Sequence, residues 1–189
     1  EHGGNAFDAA IAVSAALGVV EPAGSGIGGG GFFLLHRESD GFRIMVDGRE
    51  VAPGAAETDM YLDEKGDPIL RASRDGPLAA GIPGLPAALV HVAENYGRLP
   101  LADSLAPAIR YAREGFEVEQ RMINGLDSRG MSMNHAARAV FLPGGNPPAP
   151  GELLIQTDLA DTLTALAEQG FDGFYSGEVA QMLVDGARA

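Results

Sequence analysis

Arg49 follows Asp47-Gly48 and precedes Glu50-Val51-Ala52-Pro53, directly after an alternating run at residues 42–47. A guanidinium offers a planar fork of donors that matches a carboxylate through two bonds at once, and it keeps its charge at every working pH. The end of a strand opening into a Gly/Pro loop is a usual place for a binding group held by a rigid scaffold. The same residues offer a purely local use, because Asp47 or Glu50 can pair with Arg49 and tie down its own loop. Sequence leaves both uses open. As a general acid and base, Asp47 and Glu50 have no further support.

A second stretch that could do chemistry is the glycine run from Gly24 to Gly31. Gly24-Ser25-Gly26-Ile27-Gly28-Gly29 fits the letters of a dinucleotide fingerprint. That fingerprint requires strand, loop and helix in that order, so that phosphate meets the helix N-terminus. Here the pattern predicts helix, loop and strand, which removes the physical basis. No Gly-Lys-Ser/Thr sequence exists, so a P-loop is excluded too. Ser25 lacks nucleophile-elbow spacing and an evident base. The four histidines, His2, His36, His91 and His135, have no metal-ligand spacing. With no cysteine, thiol nucleophiles, thiolate metal sites and disulfides are impossible. Neither a metal nor a cofactor is expected.

The elements around Arg49 follow from periodicity and punctuation. Asn5 is a good N-cap, with Asp8 three residues on to complement the exposed amides. The helix it opens runs to Val20, ends at Glu21-Pro22, and is apolar or small on nearly every face, which predicts a helix buried against the sheet. Residues 32–36 and 42–47 should pair as a hairpin around Glu38-Ser39-Asp40-Gly41. Residues 52–75 are turn-rich, with one helical turn at 59–62 and a turn at 65–68, and residues 77–86 form a tight loop. Helices are expected at 87–96 with Gly97 as C-terminal stop, at 100–114 with Gly115, and at 117–133 with interruptions at Gly125 and Gly130. A Pro/Gly-dense connector at 143–151 precedes a helix at 158–169 capped by Thr157, and a last helix follows Gly177.

At 189 residues, with 46% hydrophobic and 21% charged content, the chain is long enough for one domain with a sizeable core. A net charge of −13 argues against nucleic acid or an anionic membrane surface as partner. No stretch has the length and apolarity to span a bilayer, and Glu1-His2-Gly3-Gly4 lacks the regions of a signal peptide. The abrupt opening into a helix start is what a cut or processed product would show.

Three ordered motifs carry a family resemblance: Gly3-Gly4-Asn5-Ala6-Phe7-Asp8-Ala9-Ala10, then Gly28-Gly29-Gly30-Gly31, then Asp47-Gly48-Arg49-Glu50-Val51-Ala52-Pro53. Together they resemble the large-subunit region of γ-glutamyltranspeptidases, of the N-terminal-nucleophile hydrolase class. Tyr96 to Leu101 and Phe174 to Gly177 extend the likeness over essentially the whole chain. Gly48 departs from the family, many of whose members have an aromatic residue there.

The resemblance implies an α/β (α+β) chain, a fragment of an αββα sandwich, forming a single partial domain over residues 1–189. It implies a parent enzyme that cleaves γ-glutamyl amides such as glutathione and passes the glutamyl group to water or an amino acid. Arg49 would bind the glutamyl α-carboxylate. The catalytic threonine would be the first residue of a separate small subunit, exposed by self-cleavage, with its own amine as base. Thr58, Thr157, Thr162 and Thr164 lie in contexts unlike that cleavage site, so no catalytic residue is expected in this chain. The small subunit is the implied partner, and a periplasmic or secreted location is implied as well. A cephalosporin-type acylase of the same family and a non-catalytic structural or binding fragment remain as alternatives.

Overall fold

The computed structural model describes residues 3–129 and 133–188. Helix α1 (Ala6–Val20) begins with a reciprocal capping box. The Asn5 side-chain oxygen accepts from the amides of Phe7 (2.8 Å) and Asp8 (3.1 Å), and Asp8 Oδ2 accepts from the Asn5 amide at 2.7 Å. The Asp8 carboxylate is buried, and it also accepts from the amides of Arg98 (3.0 Å) and Leu99 (3.2 Å). Those residues link α2 (Leu85–Tyr96) to α3 (Leu101–Glu114). Burial pushes this carboxyl's pKa up, but the amides of Asn5, Leu99 and Arg98 and the Arg98 charge outweigh it and hold the group below its ordinary value.

Gly97 ends α2 as expected, but without the left-handed backbone that glycine often adopts at a helix end, since its φ is −67°. Its reason is space: a Cβ there would stand 2.6 Å from Asp8 Oδ1 and 2.7 Å from the Ala93 carbonyl oxygen.

The expected hairpin forms. Strand β1 (Gly31–Arg37) pairs antiparallel with β2 (Phe42–Gly48), bringing Leu34 opposite Met45 and Phe32 opposite Asp47. Arg37 pairs with Asp40 across the turn at 2.7 Å and lies over the Phe42 ring. Leu35 joins the core, with Phe33 and Val46 packed against it. Leu34, at 84% exposure, and the exposed Phe32 and Met45 are left outside.

The helix expected against this sheet shares a buried cluster with Leu35 of β1, but its main packing is on other helices. Helix α1 packs on α3 and α2, and α2 is the helix that meets β2. Its small face explains the choice: Ile11, Ala15 and Val19 are fully buried in the same cluster as Leu105, Ala108 and Ala112 of α3. Such residues let helix axes approach closely. Nor is α1 buried all round, because Val13 is 58% exposed.

Beyond α3, Gly115 (φ 88°) turns the chain into a short strand β3 (Phe116–Glu117). Helix α4 (Gln120–Arg129) follows and runs through Gly125 without interruption, and Gly130 lies outside the described residues. Helix α5 (His135–Phe141), capped by Asn134, stands where no helix was expected. Strand β4 (Leu153–Leu154) pairs with β3, closing a second cluster of Val118, Met122, Ile123, Leu126, Leu142 and Leu154.

Helix α6 (Thr157–Gln169) takes Gln156, not Thr157, at its N-cap. The Gln156 amide side chain instead donates to the Val19 carbonyl at 2.9 Å, joining α6 to the end of α1. Helices α7 (Phe171–Tyr175) and α8 (Gly177–Arg188) complete the chain. Residues 59–61 form turns, not a helical turn, Leu62 makes an isolated antiparallel bridge with Pro68, and Pro77–Ala79 is a single 3₁₀ turn.

Candidate functional site

Arg49 is the first residue after β2, and its backbone is held from both sides. Its amide donates to Asp47 Oδ1 at 2.9 Å, while two residues on Val51 exchanges backbone hydrogen bonds with Ile82 at 3.2 and 2.9 Å. Gly48 is buried against α2, where a Cβ would lie 2.6 Å from the Ala88 methyl. An aromatic side chain at this place, as the resemblance noted from sequence would suggest, has no room here unless α2 shifts.

The Arg49 side chain is 56% exposed and forms an ion pair with Glu50, Nε to Oε2, at 3.2 Å. The local partner anticipated from sequence is thus Glu50, while Asp47 takes the backbone. The Glu50 Oε2 atom is buried and accepts no hydrogen bond, so the pairing is Coulombic and lies off the N–H axis. Among the described residues, no protein acceptor takes a hydrogen bond from the Arg49 guanidinium.

Glu50 is enclosed by glycine backbone. A Cβ at Gly30 would lie 2.8 Å from Oε2 and 2.5 Å from the Gly48 carbonyl oxygen, closer than real carbon atoms approach. This is where the glycine run acts: its backbone passes directly over Glu50 and the end of β2. The run follows α1 and enters β1, in the order helix, loop, strand. The Gly29 carbonyl accepts from the amides of Gly84 and Leu85 at 3.0 and 3.1 Å, so the start of α2 spends those donors on the loop. A phosphate has no helix N-terminus in this loop.

Two open clefts flank the Arg49–Glu50 pair. One, of about 520 Å³, is lined by Ser14, Leu17, Ser25, Phe32 and Glu50. The other, of about 590 Å³, is lined by Arg49 with Ile44, Ile82, His91, Phe171 and Tyr175. The Tyr175 hydroxyl donates to the Pro83 carbonyl at 2.6 Å and accepts from the Ala87 amide at 3.1 Å, fixing α7 to the start of α2. Burial raises the Tyr175 pKa, so the phenol stays protonated as that bond requires.

The remaining sequence candidates are not brought to Arg49 as a catalytic set. His36 pairs at 3.5 Å with Glu38 beside the hairpin turn, His135 opens α5, and His2 lies outside the described residues. His91 shares the second cleft but sits against Asn95 and the Tyr96 ring. No cluster among the described residues has the ligands to hold a metal ion. Thr162 and Thr164 donate to the carbonyls of Asp158 and Ala160 inside α6, which occupies both hydroxyls.

The family model for γ-glutamyltranspeptidase matches residues 1–189. The chain belongs to the γ-glutamyltranspeptidase family. It is 44% identical to a glutathione hydrolase proenzyme of Pseudomonas sp. (strain A14), across 100% of this chain and 33% of that protein. It superimposes on a crystal structure of Helicobacter pylori γ-glutamyltranspeptidase with a TM-score of 0.92 at 38% identity, over 96% of this chain and 52% of that one. A cephalosporin acylase from Bacillus halodurans gives a TM-score of 0.81 at 33% identity, over 96% of this chain and 34% of that one. The chain therefore spans about a third of the curated relative's length. Its mixed α/β architecture is that of part of an N-terminal-nucleophile hydrolase. No helix among the described residues is long and apolar enough to cross a membrane.

Proposed function

We propose that this chain is the large-subunit portion, a single partial domain, of an autoprocessed enzyme that cleaves γ-glutamyl amides such as glutathione and transfers the glutamyl group to water or an amino acid. Arg49 holds the substrate's α-carboxylate. The observation that carries this reading is a guanidinium fixed at its backbone, half exposed in side chain, and free of protein hydrogen-bond acceptors among the described residues. It stands in the family's Asp-x-Arg-Glu motif.

The chemical division of labour follows. Arg49 binds and orients the donor through its charge and its planar fork, so that the γ-carbonyl is presented to a nucleophile. That nucleophile is a threonine heading the small subunit, the partner to which this chain is bound in the processed enzyme. Its amine serves as base for the hydroxyl. No threonine of the chain in hand takes that role, and the catalytic contribution made here is positioning. A periplasmic or secreted location accompanies this reading, and fractionation of cells producing the tagged full-length protein tests it.

The test uses the full-length, processed protein and two chromogenic substrates, a γ-glutamyl anilide with a free α-carboxylate and its α-carboxamide. The unaltered enzyme should prefer the first strongly, and Arg49→Ala should lose most of that preference. An unchanged preference ratio with lowered thermal stability would mean that Arg49 only braces its loop. Likeness to the Bacillus halodurans cephalosporin acylase supports a second reading, in which the acyl donor is a cephalosporin side chain. A glutaryl or adipyl cephalosporin hydrolysed faster than γ-glutamyl anilide would favour it.

A further inference from the structure

We propose that Glu50 is the positioning residue for Arg49, lying on the Nε side of the guanidinium so that the two Nη groups remain as the fork for the substrate's carboxylate. The proposal rests on the assignment of Arg49 to the α-carboxylate made above. It concerns how a half-exposed arginine comes to hold one direction.

The two members of the pair differ in freedom. Glu50 has little: its side chain is 29% exposed, and a Cβ on Gly81 would lie 2.9 Å from the Glu50 Cβ. Gly29 and Gly30 close over the carboxylate itself, with Cβ positions 3.3 Å from Oε1 and 2.8 Å from Oε2. The chain beyond it is pinned by the Val51–Ile82 bridge. Arg49, by contrast, has a long side chain at 56% exposure, with many rotamers open to it. A rigid charge beside a flexible one decides where the flexible one rests.

The electrostatics point the same way. A carboxylate oxygen buried without a hydrogen bond is costly unless a charge compensates it. The compensation here comes from Arg49, nearest at Nε, 3.2 Å away. Carboxylates meet arginine either along the Nε–Nη edge or across the two Nη groups. With Glu50 on the Nε side, an incoming carboxylate finds the Nη pair. Glu50 also lines the cleft under the glycine loop while Arg49 lines a different cleft, so the two members of the pair border separate openings.

The experiment compares Glu50→Gln, Arg49→Ala and the double variant in the full-length processed protein, with the α-carboxylate and α-carboxamide anilides. Glu50→Gln should raise KM for the carboxylate substrate by roughly tenfold, with kcat changed much less, and should lower the preference ratio. In the Arg49→Ala background the same change should leave the ratio where Arg49→Ala alone puts it. A preserved ratio in Glu50→Gln overturns the proposal, as does an additive fall in the double variant, which would mean that Glu50 meets substrate itself. If Arg49→Ala keeps the preference, the carboxylate assignment fails and this proposal with it. Loss in Arg49→Ala with none in Glu50→Gln removes Glu50 alone. Should Glu50→Gln not process or fold, Glu50→Asp keeps the charge but shortens the reach. A several-fold fall in its ratio supports the proposal, and an unchanged ratio overturns it.

Discussion

Asp8, in the first turn of α1, accepts a hydrogen bond from the amide of Leu99, 91 residues further along the chain, at 3.2 Å. With the amides of Asn5 and Arg98, that bond makes one carboxylate the knot between the start of α1 and the α2–α3 link. The Asn5 amide side chain adds a bond to the Tyr96 carbonyl at 2.8 Å. Helix α2 in turn packs on β2, the strand that delivers Arg49.

Asp8→Ala in the full-length protein should therefore cost about 3 kcal/mol of stability and Asp8→Asn about 2 kcal/mol, since buried donors lose a charged acceptor. The pH dependence has a definite sign. The folded pKa of Asp8 lies below its ordinary value of 3.8, so its contribution is whole above that value and is lost as pH falls through the lower folded pKa. Urea melts at pH 7 should separate Asp8→Asn clearly from the unaltered protein. Below the folded pKa the gap should shrink. A constant gap down to strongly acid pH would mean that shape, not charge, is what Asp8 supplies.

Arg49→Lys retains a positive charge and discards the planar fork. Charge-assisted bonds of this kind contribute on the order of 1.5–3 kcal/mol each. The expected result is roughly a tenfold or greater fall in kcat/KM toward γ-glutamyl anilide. The α-carboxamide substrate should be affected far less. Equal losses on both substrates would point to damage in the loop and away from recognition.

If the nucleophile is the small subunit's threonine, as proposed, the chain by itself should not hydrolyse γ-glutamyl anilide above a blank. It should also unfold broadly and bind a hydrophobic dye, given the exposed Phe32, Leu34 and Met45 on a two-stranded sheet. Turnover by the purified chain would force a search for another nucleophile. A sharp cooperative melt would show that the helical core carries stability unaided.

What was legible in the sequence was local. Asn5 with Asp8 announces a helix start, Asp40-Gly41 a hairpin turn and Gly115 a helix end, because each signal is set by neighbours along the chain. Arg49 was legible for the same reason, as a charged residue at a strand end inside an ordered motif. Contacts between distant segments were not. Nothing near Gln156 says that its amide will reach Val19, so Thr157 is the better cap by propensity, and tertiary structure prevails. Strands as short as β3 and β4 have no periodicity to read. Gly97 has the composition of a left-handed helix stop, yet it is needed for the space that Asp8 occupies. Glu50 was visible as a possible partner, but its enclosure under Gly29 and Gly30 depends on a loop some twenty positions earlier in the chain folding back over it.

The bridge between Val51 and Ile82 makes everything between them a detour. The chain leaves the site at Val51 and returns at Ile82, hydrogen-bonded to its own point of departure. The entropy lost in closing such an excursion grows only with the logarithm of its length. Lengthening, trimming or decorating the detour should thus come at little thermodynamic expense, provided the staple survives. A fluorophore or a short tag carried there would sit within the fold's own tolerance and leave the arginine where β2 puts it.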